Sequence, residues 1–166
     1  MNKLILSAIV SISTLASVTN ITDTITQQYK RDFKDLCYVD EAPEKYSISD
    51  IATLYQFTCM YAAYNISSVF YIEEKGRITP LTFSAPRVSD GKIVGFSSSP
   101  YLTGAMFEDS TKEITTYTKY RGIGDAYDSL SYKYLNSDEG FSLVKFEVDD
   151  SYDGEINPTI FRDYSK

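Results

Sequence analysis

The sequence of 166 residues contains no histidine and no tryptophan. The lack of histidine excludes the Ser-His-Asp and Cys-His mechanisms of nucleophilic catalysis, and it excludes zinc or copper sites with imidazole ligands. It also removes the side chain that most often acts as a general base near neutral pH. We therefore predict no cofactor and no metal site, and we assign no catalytic residue from the sequence.

Basic residues are also in short supply. Lysine and arginine number 16 against 23 aspartates and glutamates, which gives a formal net charge of −7 at pH 7. Such a chain repels phosphate backbones and anionic lipid surfaces, so we expect no nucleic acid as a partner. The same charge favours fast association with a basic protein. The composition thus indicates a protein partner, with a cationic hydrolase such as lysozyme as one candidate.

The N-terminus has an apolar, uncharged run, in which Lys3 is followed by residues 4–18, and no second apolar run approaches membrane length. A basic start, an apolar stretch and small residues at its end are typical of a secretory signal peptide. The run is too short to span a bilayer comfortably. We predict a signal peptide at residues 1–19, with cleavage within residues 16–20, and a single domain at 20–166. The mature protein would then be periplasmic or secreted, without a membrane anchor.

Cysteine occurs only twice, at positions 37 and 59. In an oxidising compartment an even number of cysteines favours a disulfide, and two cysteines allow one intramolecular pairing. We predict a Cys37–Cys59 bridge. Two free thiols or an intermolecular bond are the alternatives.

Aromatic residues are abundant, with 15 tyrosines and nine phenylalanines, and they suit the half-buried surfaces of β-sheets. Strand-like segments recur about every ten residues between turn signals, which is typical of antiparallel sandwiches and barrels. We predict a mainly β fold, an antiparallel meander or sandwich-like sheet with a short N-terminal helix. The predicted strands are 52–59, 67–72, 77–84, 101–107, 113–119, 127–135 and 141–148.

The helix is predicted at residues 23–36, because apolar residues recur there at helical spacing and Asp23 is a suitable N-cap. Residues 38–50 read as a loop, and Ser-Asp-Gly-Lys at 89–92 is a turn signal. Pro80 marks its strand as an edge strand or places a bulge in it. In the acidic tail after residue 148, Ile160 and Phe161 offer a docking point.

Two motifs resemble a known family. After Cys59 comes Tyr-Ala-Ala-Tyr-Asn at 61–65, and a later turn reads Lys-Tyr-Arg-Gly-Ile-Gly-Asp-Ala at 119–126. Over residues 36–164 this order resembles the C-terminal half of a bacterial family of exported proteins, domain of unknown function 1176. The resemblance implies export and a shared fold, and it implies no reaction.

The chain departs from the family pattern in three respects, of which one is length, since many members are about twice as long and have an extra N-terminal half. Ala126 stands where the family has a cysteine, and that cysteine's later partner is absent as well. Tyr132 and Tyr134 stand where the family has tryptophans. These departures remove the second cysteine pair that would hold the glycine-rich turn in relatives.

The glycine-rich turn is the strongest candidate site. Gly122 and Gly124 permit close approach of a ligand or another backbone, while Lys119 and Arg121 place positive charge in an acidic chain. The segment could bind a small anion or a partner. The alternative is a structural turn in which Arg121 pairs with Asp125.

A second candidate site follows Cys59. Tyr64 and Asn65 could line a polar pocket near the bridge. The alternative is that Asn65 forms a turn and Tyr64 fills the core beside the disulfide.

The acidic residues select no further site. Asp149, Ser151 and Asp153 imitate the start of an EF-hand loop, but Ile160 occupies the position that needs a bidentate glutamate, so we expect a solvated turn. Other carboxylates lie in charge-rich segments without a spacing that selects a pair, namely Glu73, Glu74, Glu108, Asp109, Glu113, Asp125 and Asp128.

Three functions remain compatible with these observations. The first is a non-enzymatic binding protein of the periplasm or medium, acting like an inhibitor or an immunity protein. The second is an envelope glycan hydrolase, which would need a cleft with two carboxylates, one of raised pKa. The third is a structural envelope component, which would show neither a pocket nor a discrete partner.

Overall fold

The computed structural model describes residues 20–122, 124–136 and 139–163. The predicted signal peptide lies outside these ranges. The described chain is mainly β, with two antiparallel sheets, a separate hairpin and one short helix, as the composition predicted. The strands in chain order are β1 (Glu44–Ser47), β2 (Ala52–Tyr61), β3 (Ile66–Glu74), β4 (Arg77–Pro80), β5 (Phe83–Ser89), β6 (Lys92–Ser99), β7 (Leu102–Thr103), β8 (Ala105–Glu108), β9 (Glu113–Thr116), β10 (Thr118–Lys119), β11 (Tyr127–Asn136), β12 (Gly140–Asp149) and β13 (Thr159–Asp163).

Helix α1 (Ile21–Asp32) begins and ends earlier than predicted. Asn20, not Asp23, is the N-cap, because its Oδ1 accepts a hydrogen bond from the Thr22 amide at 3.1 Å. The residues after Asp32 form a turn that leads to Cys37.

The first sheet has the order β1-β2-β3-β4, and β7 also pairs with β3. Pro80 ends β4, an edge strand, as its missing amide hydrogen predicted. The prediction of a loop throughout residues 38–50 is wrong, because this segment contains β1. This four-residue strand is mostly exposed, so it carries little apolar alternation.

The second sheet has the order β13-β12-β11-β9-β8, and β10 also pairs with β11. Its edge strand β13 belongs to the tail and pairs with β12. Phe161 of this strand stacks on Phe146 with 5.4 Å between ring centroids, which confirms Phe161 as a docking point of the tail. Gly104 divides one predicted strand into β7 and β8. A Cβ at Gly104 would lie 2.1 Å from the Tyr117 carbonyl oxygen, so only glycine fits there.

Two clusters of buried side chains hold these layers together. The larger one lies between the sheets and includes Leu54, Phe70 and Tyr132. The other lies between α1 and the outer face of the first sheet, where the Tyr29 ring stacks on Phe57. The strictly alternating side chains of β2 and β3 serve both clusters, because successive residues point to opposite faces.

The predicted disulfide between Cys37 and Cys59 is present. It ties the end of the helical segment to β2. Beside it, the Tyr29 hydroxyl donates to the carbonyl oxygens of Val39 and Thr58 at 2.9 and 3.0 Å. Such a bond fits an extracellular or periplasmic protein.

Hairpin β5–β6 pairs with neither large sheet. Its base is fixed, because Phe83 is buried in the main core and the Tyr132 hydroxyl donates to the Ser84 carbonyl at 2.9 Å. Its turn at Asp90 and Gly91 has two positive φ angles, as the Ser-Asp-Gly-Lys sequence predicted. The hairpin extends over part of the second sheet and forms the roof of a groove.

Candidate functional site

The two predicted motifs meet through Asn65 and Lys119. The Asn65 amide Nδ2 donates to the Lys119 carbonyl and the Lys119 amide donates to Asn65 Oδ1, both at 3.0 Å. The Asn65 backbone carbonyl also closes a turn with the Ala62 amide at 2.8 Å. Asn65 is therefore the connection between the segment after Cys59 and the strand that enters the glycine-rich turn.

Tyr64 does not fill the core beside the disulfide, as one interpretation expected. Its side chain is 68% exposed, because it follows β2 in an outward-facing turn. Tyr64 and Asn65 instead line a groove of about 650 Å³, together with Gln56, Met106 and Tyr117. The structure thus places both residues at a groove, and their role there stays a prediction.

The glycine-rich turn is closed by a hydrogen bond from the Tyr120 amide to the Ala126 carbonyl at 2.9 Å. A Cβ at Gly122 would lie 2.9 Å from the Tyr152 ring, so this glycine allows the approach of a later loop. Arg121 and Gly124 are exposed, and Ile123 lies outside the described residues.

The expected pairing of Arg121 with Asp125 is wrong. Asp125 is buried, and its Oδ2 accepts a hydrogen bond from the Gly154 amide at 2.7 Å, while Arg121 points to solvent. Its other oxygen, Oδ1, is buried without a hydrogen-bond partner among the described residues. Asp125 therefore joins the glycine-rich turn to the loop after β12.

The segment from Asp149 to Asn157, whose start resembles an EF-hand loop, is held together by hydrogen bonds to Asp149. Asp149 is only 2% exposed, so the expected solvated turn is wrong for this residue. Its carboxylate accepts hydrogen bonds from the Asn157 amide at 2.7 Å and from Ser151 Oγ at 2.8 Å, and these bonds lower its pKa. Within the described ranges, no three potential metal-ligating residues cluster.

A further cavity in the described chain was not predicted. It has a volume of about 620 Å³ and lies between hairpin β5–β6 and strands β11, β12 and β13. Ala85, Pro86 and Val88 form its roof. Its floor is apolar and consists of Leu130, Phe146, Val148 and Phe161. We call this cavity the acidic groove, because three aspartates also line it, Asp90, Asp128 and Asp150.

Asp128 lies on the same face of β11 as Leu130 and Tyr132, since side chains two residues apart share a face. Burial raises the pKa of Asp128, and this effect outweighs the hydroxyls of Tyr120 and Thr118, which favour the charged form. The pKa of Tyr120 is raised too, first by burial and then by the charge of Asp128. These two residues form an electrostatically coupled pair at the groove.

A sequence signal for this groove exists in retrospect. Asp128 interrupts an apolar face of a predicted strand, and Tyr120 lies inside the glycine-rich motif. A carboxylate among inward-facing residues is unusual, because burial disfavours its charge. In the sequence, Asp128 is one carboxylate among many, without a spacing that selects it.

Comparison with known proteins supports the resemblance. The sequence profile of the family described as "Protein of unknown function (DUF1176)" matches residues 9–156, and the match begins earlier than the motifs indicated, so it includes α1. No curated protein and no solved structure matches the chain. Within the described ranges, no helix has the length and apolar character that a bilayer crossing requires. The match extends over most of the sequence, and the chain therefore belongs to the DUF1176 family.

Proposed function

We propose that the protein is an exported, non-enzymatic binding protein that captures a basic segment of another protein in the acidic groove. The observation that carries this proposal is the groove itself, a roofed cavity with an apolar floor and three aspartates. Its volume of about 620 Å³ lies within the range of about 300–1,000 Å³ that is common for binding sites of organic ligands.

The charges in the groove select a cationic partner. Asp90, Asp128 and Asp150 have no ion-pair partner among the described residues, and no lysine or arginine is among the described residues that line the groove. A basic segment would neutralise these carboxylates. The net charge of −7 would also speed the first encounter with a basic protein.

Two further observations support export. The disulfide suits an oxidising compartment, and the uncharged N-terminal run has the pattern of a signal peptide. Small exported hydrolases such as lysozyme are basic, which makes them suitable first partners to test.

The direct test is calorimetric titration of the purified protein with lysozyme at low ionic strength and again at about 0.3 M salt. We expect binding that weakens as salt rises, because charge contacts at a surface are screened. Succinylated lysozyme is the matched control, since it keeps the enzyme but loses the basic lysines. Absence of binding to lysozyme and to other cationic hydrolases at low salt would overturn the proposal.

One observation favours a second function, glycan hydrolysis. The acidic groove contains several carboxylates, and one of them, Asp128, has a raised pKa, as required of a general acid. Release of soluble sugars from peptidoglycan, lost in Asp128→Asn, would establish this activity. An inactive wild-type protein would eliminate it. The groove also disfavours a purely structural role, for which no pocket was expected.

A further inference from the structure

Resting on the proposed function, we infer that the acidic groove recognises an arginine side chain of the partner, with its guanidinium on Asp128 and its aliphatic stem along the groove floor. This inference names the chemistry of the bound group. It makes Asp128 the residue that determines specificity.

The first step is the environment of Asp128. The carboxylate is partly buried at the cavity, and the neighbours that stabilise its charge are hydroxyl groups, those of Tyr120 and Thr118. Hydroxyls offset only part of the cost of removing a carboxylate from water. A cation that enters the groove would supply the missing opposite charge.

The second step is the apolar floor. Leu130 and Val148 line the groove beside Asp128, and the register of β11 and β12 places Asp128 directly opposite Val148. Phe146 and Phe161 extend this surface as a stacked pair. Long basic side chains cover apolar surface with their methylene groups while the charged end binds a polar group. The floor therefore fits a stem that leads to a charge, and it does not suit a compact inorganic cation.

The third step distinguishes arginine from lysine. Tyr120, Asp128 and Asp150 line the same cavity, so two carboxylates and one aromatic ring face the groove together. A guanidinium has five donors in a plane, it can bond two carboxylates, and it stacks on aromatic rings. An ammonium is a more strongly hydrated point charge. This end of the groove therefore favours arginine.

The test uses two blocked pentapeptides that differ only at the centre, where one has arginine and the other has citrulline, its neutral isostere. Binding is followed by NMR chemical-shift titration of the purified protein. We expect the arginine peptide to shift resonances of groove residues and to bind about tenfold or more tightly than the citrulline peptide. Equal affinities of the two peptides would overturn the inference.

Two variants complete the test. Asp128→Asn keeps the shape and removes the charge, and it should abolish the preference for arginine over citrulline. Asp35→Asn is the matched control, because Asp35 is 90% exposed and does not line the groove, and it should keep the wild-type preference. Retention of the preference in a folded Asp128→Asn variant, checked by its NMR spectrum, would contradict the inference.

The outcomes separate the inference from the proposed function. Lysozyme binding that weakens in Asp128→Asn but that the arginine peptide does not displace would leave the proposed function in place and overturn the assignment of arginine as the recognised group. Specific arginine binding without any association with cationic hydrolases would support the groove chemistry and overturn lysozyme-like enzymes as partners.

Discussion

Asn65 and Lys119 lie 54 residues apart in the sequence, and the Asn65 side chain pairs with the Lys119 backbone through two hydrogen bonds. An asparagine can do this because its amide offers one donor and one acceptor side by side. The contact attaches β10 to the first sheet. Because Tyr120 directly follows β10, the contact also positions Tyr120 at the acidic groove.

Asn65→Ala should destabilise the protein by about 1–2 kcal/mol, because two hydrogen bonds are lost at once. Urea denaturation measures this change. Tyr64→Ala is the neighbouring control, and we expect a change within about 0.5 kcal/mol because Tyr64 is largely exposed. Equal stabilities of the Asn65→Ala variant and the wild type would show that the contact carries no energy.

Gly104→Ala should be far more harmful than Gly76→Ala. Both glycines have positive φ, so both variants pay the backbone cost of about 1 kcal/mol. At Gly76 nothing lies within 4 Å of an added Cβ, whereas at Gly104 that atom would collide with the Tyr117 carbonyl. We expect a loss of about 3 kcal/mol or more at Gly104, measured by thermal and chemical unfolding. Similar losses in the two variants would contradict this account of the β7–β8 break.

Removal of the disulfide by Cys37→Ser with Cys59→Ser should cost about 3 kcal/mol, the loop-closure value for a bridge of this span. The sequence separation of the two cysteines is 22. Unfolding of the wild type with and without reductant provides the same comparison on an unaltered chain. Insensitivity to reductant would mean that the bridge does not stabilise the fold.

Asp128→Asn should make the protein more stable near neutral pH. The pKa of Asp128 is raised above the ordinary value of 3.8, so between these two values the folded state binds more protons than the unfolded state. Stability therefore falls as pH rises through this window, and the loss is complete above the folded pKa. The hydroxyls of Tyr120 and Thr118 lower the pKa of Asp128, but burial outweighs them and the sign is kept.

The Asp128→Asn variant has no carboxyl group at this position, so its stability does not fall with the titration of Asp128. Its advantage over the wild type should grow from about pH 4 upward and vanish below, as measured by urea midpoints across pH. A variant that is less stable than the wild type by the same amount at every pH would show that Asp128 is held by bonds that outweigh its burial.

Much of the fold was predictable, because its signals are local. Alternating apolar residues gave β11 and β12, Pro80 gave an edge strand, and Asp90-Gly91 gave a hairpin turn. The two cysteines allowed a single internal pairing. The helix begins two residues before the predicted start. Asn20 and Asp23 are both suitable N-cap residues, and Asn20 is the one that caps the helix.

The candidate site was less predictable, because it depends on contacts between distant segments. The acidic groove needs hairpin β5–β6 to lie over strands that follow it by about 30 residues or more, and no local pattern specifies that approach. Likewise, Asp125 accepts from Gly154 and not from Arg121, because the loop after β12 returns to the glycine-rich turn. The hydrogen-bond partners of the Asn65 and Asp125 side chains therefore lie outside the motif that contains each residue.

The measurement that tests the central claim most directly is the affinity for lysozyme of the wild type, Asp128→Asn and Asp35→Asn at the same low ionic strength. The two variants change the net charge equally, so a general electrostatic attraction would weaken both to the same extent. We predict that Asp128→Asn binds about tenfold or more weakly than Asp35→Asn, because Asp128 is the partly buried carboxylate in the groove. Equal affinities of the two variants would contradict the account.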